Sequence, residues 1–378
     1  MSRGRLIALG IAAFLAIAGA LLLSTQRNLP RDPHGSSFLP SLAAELNTVT
    51  SLSVSKGSPT PAVTVHKQGE QWSVAQRADY PADVLKLRKL LQALNDAKIR
   101  EEKTSNPANY SIIGVEDPLK PRASGAQIEL IAQDGKHDVI IGKSVGNGNF
   151  VRRAGETTSY VIEPAISLEA EPRFWIDTKL LDLPADKIQS IESKPATGPG
   201  YFLHRTPVGS DKAVAANAPT TAPAAPAPGA PAPGASALAD KFVLDAVPAG
   251  RQAAEAQTLA NSATLLSNLA IDDVSPAGEV DFSKPSRATV TLFDGGVVTL
   301  IGMVVGDKHW IQVSASKDAS LSAKTSGRAF EIASYRYDGL FRPLEQLLVP
   351  KPAPPQPAVP HAAPKKSAAA PGAARPKP

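Results

Sequence analysis

Asp134-Gly135-Lys136-His137-Asp138-Val139-Ile140-Ile141-Gly142 and Asp294-Gly295-Gly296-Val297-Val298-Thr299-Leu300-Ile301-Gly302 stand 160 residues apart, and the match continues into Asn149-Phe150-Val151 and His309-Trp310-Ile311. In each stretch an Asp-Gly turn leads into an apolar run, the signature of a β-hairpin. A self-match at constant offset means two copies of one supersecondary unit. The fold class that follows is α+β: two tandem copies of an antiparallel-sheet-plus-helix unit.

Reading outward, the first copy is expected over residues 41–184. Val49–Val54, Ala62–His66 and Gln71–Val74 alternate as strands, with Gln68-Gly69 as a hairpin turn. A helix with Pro81 in its first turn then carries Val84, Leu87, Leu91 and Leu94 at three-to-four spacing, a stripe that should cover the sheet. After a Pro-punctuated loop from Asn106 to Pro121, strands are expected at Ile128–Ala132, Val139–Ile141, Phe150–Arg152 and Tyr160–Ile162, then an apolar segment at Phe174–Leu183. The second copy, 185–349, restarts at Ile188-Gln189-Ser190-Ile191 and keeps the same order. It includes Tyr201–His204 pairing with Lys241–Leu244 and a helix carrying Leu259, Ala263, Leu266 and Leu269. The offset grows from 139 at the first strand to 160 at the Asp-Gly turn, so the second copy holds an insertion. Its Pro/Ala composition over 207–240 is that of a disordered segment, placed at a hairpin tip where insertions are tolerated.

The ends carry the topology. Leu6–Leu23 is an uninterrupted run of 18 uncharged residues, flanked by Arg3 and Arg5 before it and Arg27 and Arg31 after it. That is nearly the length of a membrane-spanning helix. Ala16-Ile17-Ala18 and Ala18-Gly19-Ala20 resemble signal-peptidase sites, but the run continues through Leu21-Leu22-Leu23, which favours a retained anchor at 6–23. Residues 1–5 would be cytoplasmic, 24–40 a polar stalk, and the bulk periplasmic at the inner membrane. The tail, 350–378, is Pro/Ala-rich and basic, with Lys351, Lys365, Lys366, Arg375 and Lys377 and no acid. These five charges equal the net charge of +5, so the globular part is near neutral and a nucleic-acid-binding face is not expected. The tail could make weak contact with anionic lipid or an envelope polymer. The chain has 0 Cys, which excludes disulfides and thiolate chemistry.

The hairpin ending in Trp72, the helix after Pro81, Tyr110 followed by Gly114-Val115-Glu116-Asp117-Pro118, and the Asp134-Gly135 to Gly142 turn together resemble the bacterial domain-of-unknown-function family numbered 4340. The resemblance implies an amino-terminal membrane anchor and a link to transporters of the ATP-driven, gliding-motility-auxiliary kind, hence possible ABC transporter subunits as partners. It implies no catalytic residue.

No catalytic, cofactor or metal residue is assigned from the sequence. Gly142-Lys143-Ser144 lacks the Gly a phosphate loop needs, since position 137 is His137. Ser53-Val54-Ser55-Lys56 with Lys324-Thr325-Ser326-Gly327 suggests a serine acyl-transfer hydrolase, but on a strand Ser53 and Lys56 project to opposite faces. None of His34, His66, His137, His204, His309 and His361 falls at the spacing of a helical zinc pair. Asp272-Asp273 and Glu169/Glu171 read as solvated charge, and Trp72, Trp175 and Trp310 as core anchors. The function expected is a non-enzymatic, single-pass inner-membrane scaffold or accessory subunit. The alternative is a periplasmic binding module holding a cell-wall fragment or lipid between the copies, with the hydrolase as a remote third.

Overall fold

The computed structural model describes residues 34–133, 135–206 and 241–351. The expected anchor at 6–23, most of the stalk, Asp134, the insertion at 207–240 and the tail beyond Lys351 lie outside the described residues. Among the described residues no helix is long and apolar enough to cross a membrane. The architecture is α+β, with antiparallel sheets and few helices.

A short helix, α1 (Leu42–Glu45), leads into β1 (Ser51–Ser55), the hairpin β2 (Val63–Gln68) and β3 (Gln71–Val74), and β4 (Tyr80–Pro81). The helix α2 (Val84–Asp96) follows, then β5 (Lys98–Glu102), α3 (Tyr110–Ile113), β6 (Ala126–Ile131), β7 (Lys136–Val145), β8 (Gly148–Arg153) and β9 (Ser159–Glu163). These nine strands form one sheet in the order β4-β3-β2-β1-β6-β7-β8-β9-β5. The helix therefore carries the chain from one edge to the other across a face, and the chain then returns to the centre beside β1.

The second sheet contains β11 (Ile188–Lys194), β12 (Tyr201–Thr206), β13 (Lys241–Leu244), β16 (Asp273–Pro276), β17 (Ser286–Leu292), β18 (Val297–Val305), β19 (Lys308–Ala315) and β20 (Arg328–Ile332). Its order is β13-β12-β11-β17-β18-β19-β20-β16. Between β13 and β16 run β14 (Arg251–Ala253), helix α4 (Ala256–Thr264) and β15 (Leu269–Ala270). The short helix α5 (Ala319–Thr325) interrupts the β19–β20 turn, and α6 (Ser334–Leu340) precedes the last strand, β21 (Leu348–Pro350). Two small ladders tie distant segments together: β10 (Lys179–Leu181) pairs with β15, and β14 with β21. One continuous cluster of buried side chains runs through both sheets, from Phe38 and Leu42 to Phe330 and Leu347.

Several local readings change; Leu266 and Leu269, read as part of the second-copy helix, follow its end at Thr264, and Leu269 lies in β15. Pro81 lies in β4 opposite Ser73, and the helix begins three residues later, where Asp83 caps it by accepting from the Leu85 and Lys86 amides. The buried stripe is Leu87, Leu90 and Leu94; Val84 is exposed and Leu91 only partly covered. Phe38 and Leu39, read as stalk, are buried, and residues 35–38 bond to the outer side of β5 through the Gly35 amide to the Ile99 carbonyl at 2.7 Å and the Phe38 amide to the Ala97 carbonyl at 2.8 Å.

Strand backbones approach closely at the start of β8. A Cβ added to Gly148 would run into the carbonyl oxygen of Ile162 on β9. Overpacking against backbone cannot be relieved by a rotamer change. Gly148→Ala is expected to cost about 3 kcal/mol or more of stability, read as a lower urea midpoint at an unchanged slope.

Candidate functional site

The two sheets meet where β4 and the turn before it face β16 and β20. The Tyr80 ring packs edge-on against Phe330 with centroids 5.6 Å apart. Around this pair the contacts are charged. Arg77 donates to both oxygens of Asp273, the Nη2–Oδ2 distance being 3.2 Å, and reaches Glu171 at 3.4 Å. The Arg77 and Asp273 side chains are 19% and 15% exposed, so this is a largely buried ion pair, not the solvated carboxylate the sequence suggests. Glu169 contributes its carbonyl, which accepts from the Trp175 indole at 2.9 Å.

Beside the junction opens a cleft of about 630 Å³, between Asp79 and Pro81 of the first sheet, the strand β10, and α5 with the start of β20. Its charges are stitched to one another. Lys324 Nζ donates to Asp177 Oδ2 at 2.8 Å. The Arg328 guanidinium donates to the carbonyls of Ala78 at 2.9 Å, Asp79 at 3.2 Å, Ala323 at 3.2 Å and Lys324 at 2.9 Å. Asp318 caps α5, and the bonds from the Leu321 amide and the Ser320 hydroxyl hold its carboxyl below the usual range. Hydrogen bonds from Lys179 and the Asn268 amide do the same for Asp182. Ala78 and Asp79 both sit at positive φ, +54° and +50°, a conformation costly for residues with a Cβ. Arg328 holds both of their carbonyls, so the second sheet stabilises a strained turn of the first. Tyr80 is fully buried, its hydroxyl has no hydrogen-bond partner, and burial pushes its pKa upward.

A second concavity of about 530 Å³ lies in the first sheet, between α2, the β2–β3 hairpin and the Leu46–Val49 stretch. Trp72, half-buried, forms part of its wall, whereas Trp175 and Trp310 are buried in the core.

The residues weighed from sequence do not converge. Ser53 lies on β1 with its hydroxyl 3.3 Å from that of Thr64, while Lys324, Thr325 and Ser326 belong to α5 and its end. Lys143, on β7, donates to the Ile112 carbonyl at 2.8 Å and so ties down α3. His66 on β2 and His204 on β12 each face an aspartate, Asp79 at 3.4 Å and Asp245 at 2.9 Å. His137 bonds to Glu45 of α1 at 2.9 Å. Among the described residues no three His, Asp or Glu side chains gather as a metal site. His361 lies outside the described residues.

The Tyr110–Pro118 motif has a clear packing role. Tyr110 donates to the Thr157 carbonyl, Arg152 lies over its ring at 4.7 Å, and Arg152 Nε donates to the Val115 carbonyl at 3.0 Å. The loop sits directly on β7, where a Cβ at Gly142 would strike Ile113 and Gly114. Gly114 ends α3 at φ +76°, which only glycine adopts without strain. Glu116 accepts from both the amide and the hydroxyl of Ser124, at 2.8 and 3.0 Å. Partial burial opposes its ionisation, but these bonds and nearby Lys143 outweigh it and the pKa falls.

Two outcomes follow from this geometry. Arg77→Ala and Asp273→Ala should each lower stability by roughly 1–3 kcal/mol, and the double variant should lose much less than the sum, as read in a double-mutant cycle. A carboxyl with a depressed native pKa stabilises the fold above its unfolded pKa, and that contribution is lost as pH falls through the native value. Glu116→Gln should therefore be less stable than the parent at pH 7 and about equal to it once the pH is low enough to protonate the native carboxyl, when urea midpoints are compared across pH.

Comparison with curated proteins and with solved structures finds no match. The family model described as Domain of unknown function (DUF4340) matches residues 72–288, from Trp72 through the first sheet and into β17 of the second. That span is more than half of the chain, and the chain belongs to this family.

Proposed function

We infer that the protein is a non-enzymatic scaffold or accessory subunit, held at the inner membrane by residues 6–23 and presenting two copies of one α+β unit to the periplasm, with an ABC-type transporter as the class of partner. Support for duplication comes from the strand orders. β3-β2-β1-β6-β7-β8-β9-β5 and β13-β12-β11-β17-β18-β19-β20-β16 have the same connectivity, each with a helix crossing to the far edge. The Asp-Gly match falls at the same hairpin in both, β6–β7 and β17–β18. Support for a scaffold comes from the junction, where a shared core and directed charge contacts join the two halves. The single observation that carries the reading is that the cleft's cations and carboxylates engage this chain's own groups, which favours rigidity over turnover.

The test is crosslinking of the full chain in intact membranes with identification of its neighbours, alongside protease treatment of spheroplasts. The expected result is cleavage after Arg27 in whole spheroplasts and recovery of membrane transport subunits. Protection in spheroplasts with cleavage in inverted vesicles overturns the topology.

A further inference from the structure

The two sheets differ at one edge. In the first, the outer side of β3 is covered by β4, with Ser73 opposite Pro81 and Val74 opposite Tyr80, and the Ala82 amide donates to the Trp72 carbonyl at 2.8 Å. Trp72 and Val74 thus turn their backbone groups outward, and the chain itself meets them. The second sheet has β13 in the place of β3 and, among the described residues, no strand in the place of β4. Beyond Leu244 the chain runs on into β14, which pairs with β21 instead.

Register fixes which groups are left over. Leu52, Val65 and Val74 lie opposite one another across the first sheet, and Ile191, Leu203 and Leu244 across the second. Leu244 is therefore the counterpart of Val74, and Phe242 of Trp72. The Asp245 amide donates to the Phe202 carbonyl at 3.0 Å, and ladder bonds alternate along an antiparallel pair. Lys241, Val243 and Asp245 accordingly face β12 with their backbone groups, while Phe242 and Leu244 point theirs away from it. Among the described residues no backbone group bonds to these outward N–H and C=O groups. Such an edge is a template for another strand.

Charge and register identify the occupant, because Lys241-Phe242-Val243-Leu244-Asp245 is its own antiparallel complement. Laid on a second copy with a two-fold axis at Val243, it sets Phe242 opposite Leu244 on both sides of the axis, so the outward groups of each copy meet those of the other. The same register sets Lys241 opposite Asp245 at both ends. Both side chains are exposed, and Asp245 lies 2.9 Å from His204 on its own sheet. Opposite charges directly across a non-hydrogen-bonded pair attract, and like charges there repel. Val243 is half-buried and would meet its own copy, with Phe202, exposed on the same face of β12, adding apolar surface beside it.

We propose that β13 is a self-association edge: two copies of this chain join β13 to β13, antiparallel about Val243, into one sheet that continues across both. The second copy takes the place that β4 fills in the first sheet. The proposal stands without the scaffold reading and does not depend on which side of a membrane the fold occupies.

The chain has 0 Cys, so a single introduced thiol is diagnostic. Residues facing each other at a non-hydrogen-bonded antiparallel site have Cα atoms about 4.5 Å apart, within disulfide range. The full chain carrying Val243→Cys, in neutral detergent with a mild oxidant, should form a disulfide-linked dimer on non-reducing gels. Thr291→Cys, on β17 in the middle of the same sheet, should stay a monomer on those gels. Lys241→Asp sets like charges against each other at both ends of the pairing and should raise the dimer dissociation constant, measured by sedimentation, by about tenfold. Combining Lys241→Asp with Asp245→Lys restores the opposition of charge and should bring the constant back to that of the parent. No Val243→Cys crosslink, equal crosslinking of Thr291→Cys, an unchanged constant in Lys241→Asp, or no recovery in the exchanged pair each overturns the proposal. A monomeric chain whose Val243→Cys thiol is shielded from a maleimide would do so as well, assigning the edge to another segment of the same chain.

Discussion

The contact of Tyr80 with Phe330, sealed by Arg77 on Asp273 and by Arg328 on the Ala78 and Asp79 carbonyls, is the constraint on which the rest of the molecule depends. Each sheet has a helix on one face, but neither is independent at this edge. The apolar cluster passes from one to the other without a break, so the charged contacts form a rim around a dry centre. Such a rim gains from low local dielectric, and it fixes orientation because each guanidinium has several directed donors. The strained turn at Ala78-Asp79 is tolerated for the same reason: the surrounding structure over-determines it.

Most of the strand framework is legible in the sequence, because the central strands alternate or run apolar and the hairpins carry Gly. Val139–Ile141 and Leu300-Ile301 announce themselves in this way. What could not be read was set by neighbours distant in the chain. β5, Lys98-Ile99-Arg100-Glu101-Glu102, buries only Ile99, and its charges hide its period. β16 begins at Asp273, just after Asp272, and ends in Pro276, yet it forms the outer strand beside β20. The α2 stripe departs from the expected face in that Leu90 is buried and Val84 exposed, while Leu91 packs half-buried against the core; Pro81 lies in β4, ahead of the helix. α5 and α6 lie among polar residues and short apolar spans too brief to show a 3.6 period.

The features of the candidate site were the least visible. Asp273 reads as solvated until Arg77, 196 positions away, is placed against it. Trp72 reads as a core anchor because its sequence neighbours match those of any half-buried strand. In the structure it is half-buried in the wall of a concavity, unlike the buried Trp175 and Trp310. The Tyr110–Pro118 motif illustrates the reverse. Its residues are conspicuous in sequence, and their role is to press a loop onto Gly142, which is packing and not chemistry.

The pairing of residues 35–38 with the outer side of β5 has a consequence for solubility. A sheet of nine strands ends in rows of unmet amides and carbonyls that could recruit another chain and propagate as fibrils. Here one terminal row is occupied by the segment that enters the fold, and the remainder of β5 displays Arg100, Glu101 and Glu102, which repel a flat apolar partner. Detaching the amino-terminal segment, by cleavage or truncation past Phe38, would uncover that row and turn a guarded border into a template for aggregation.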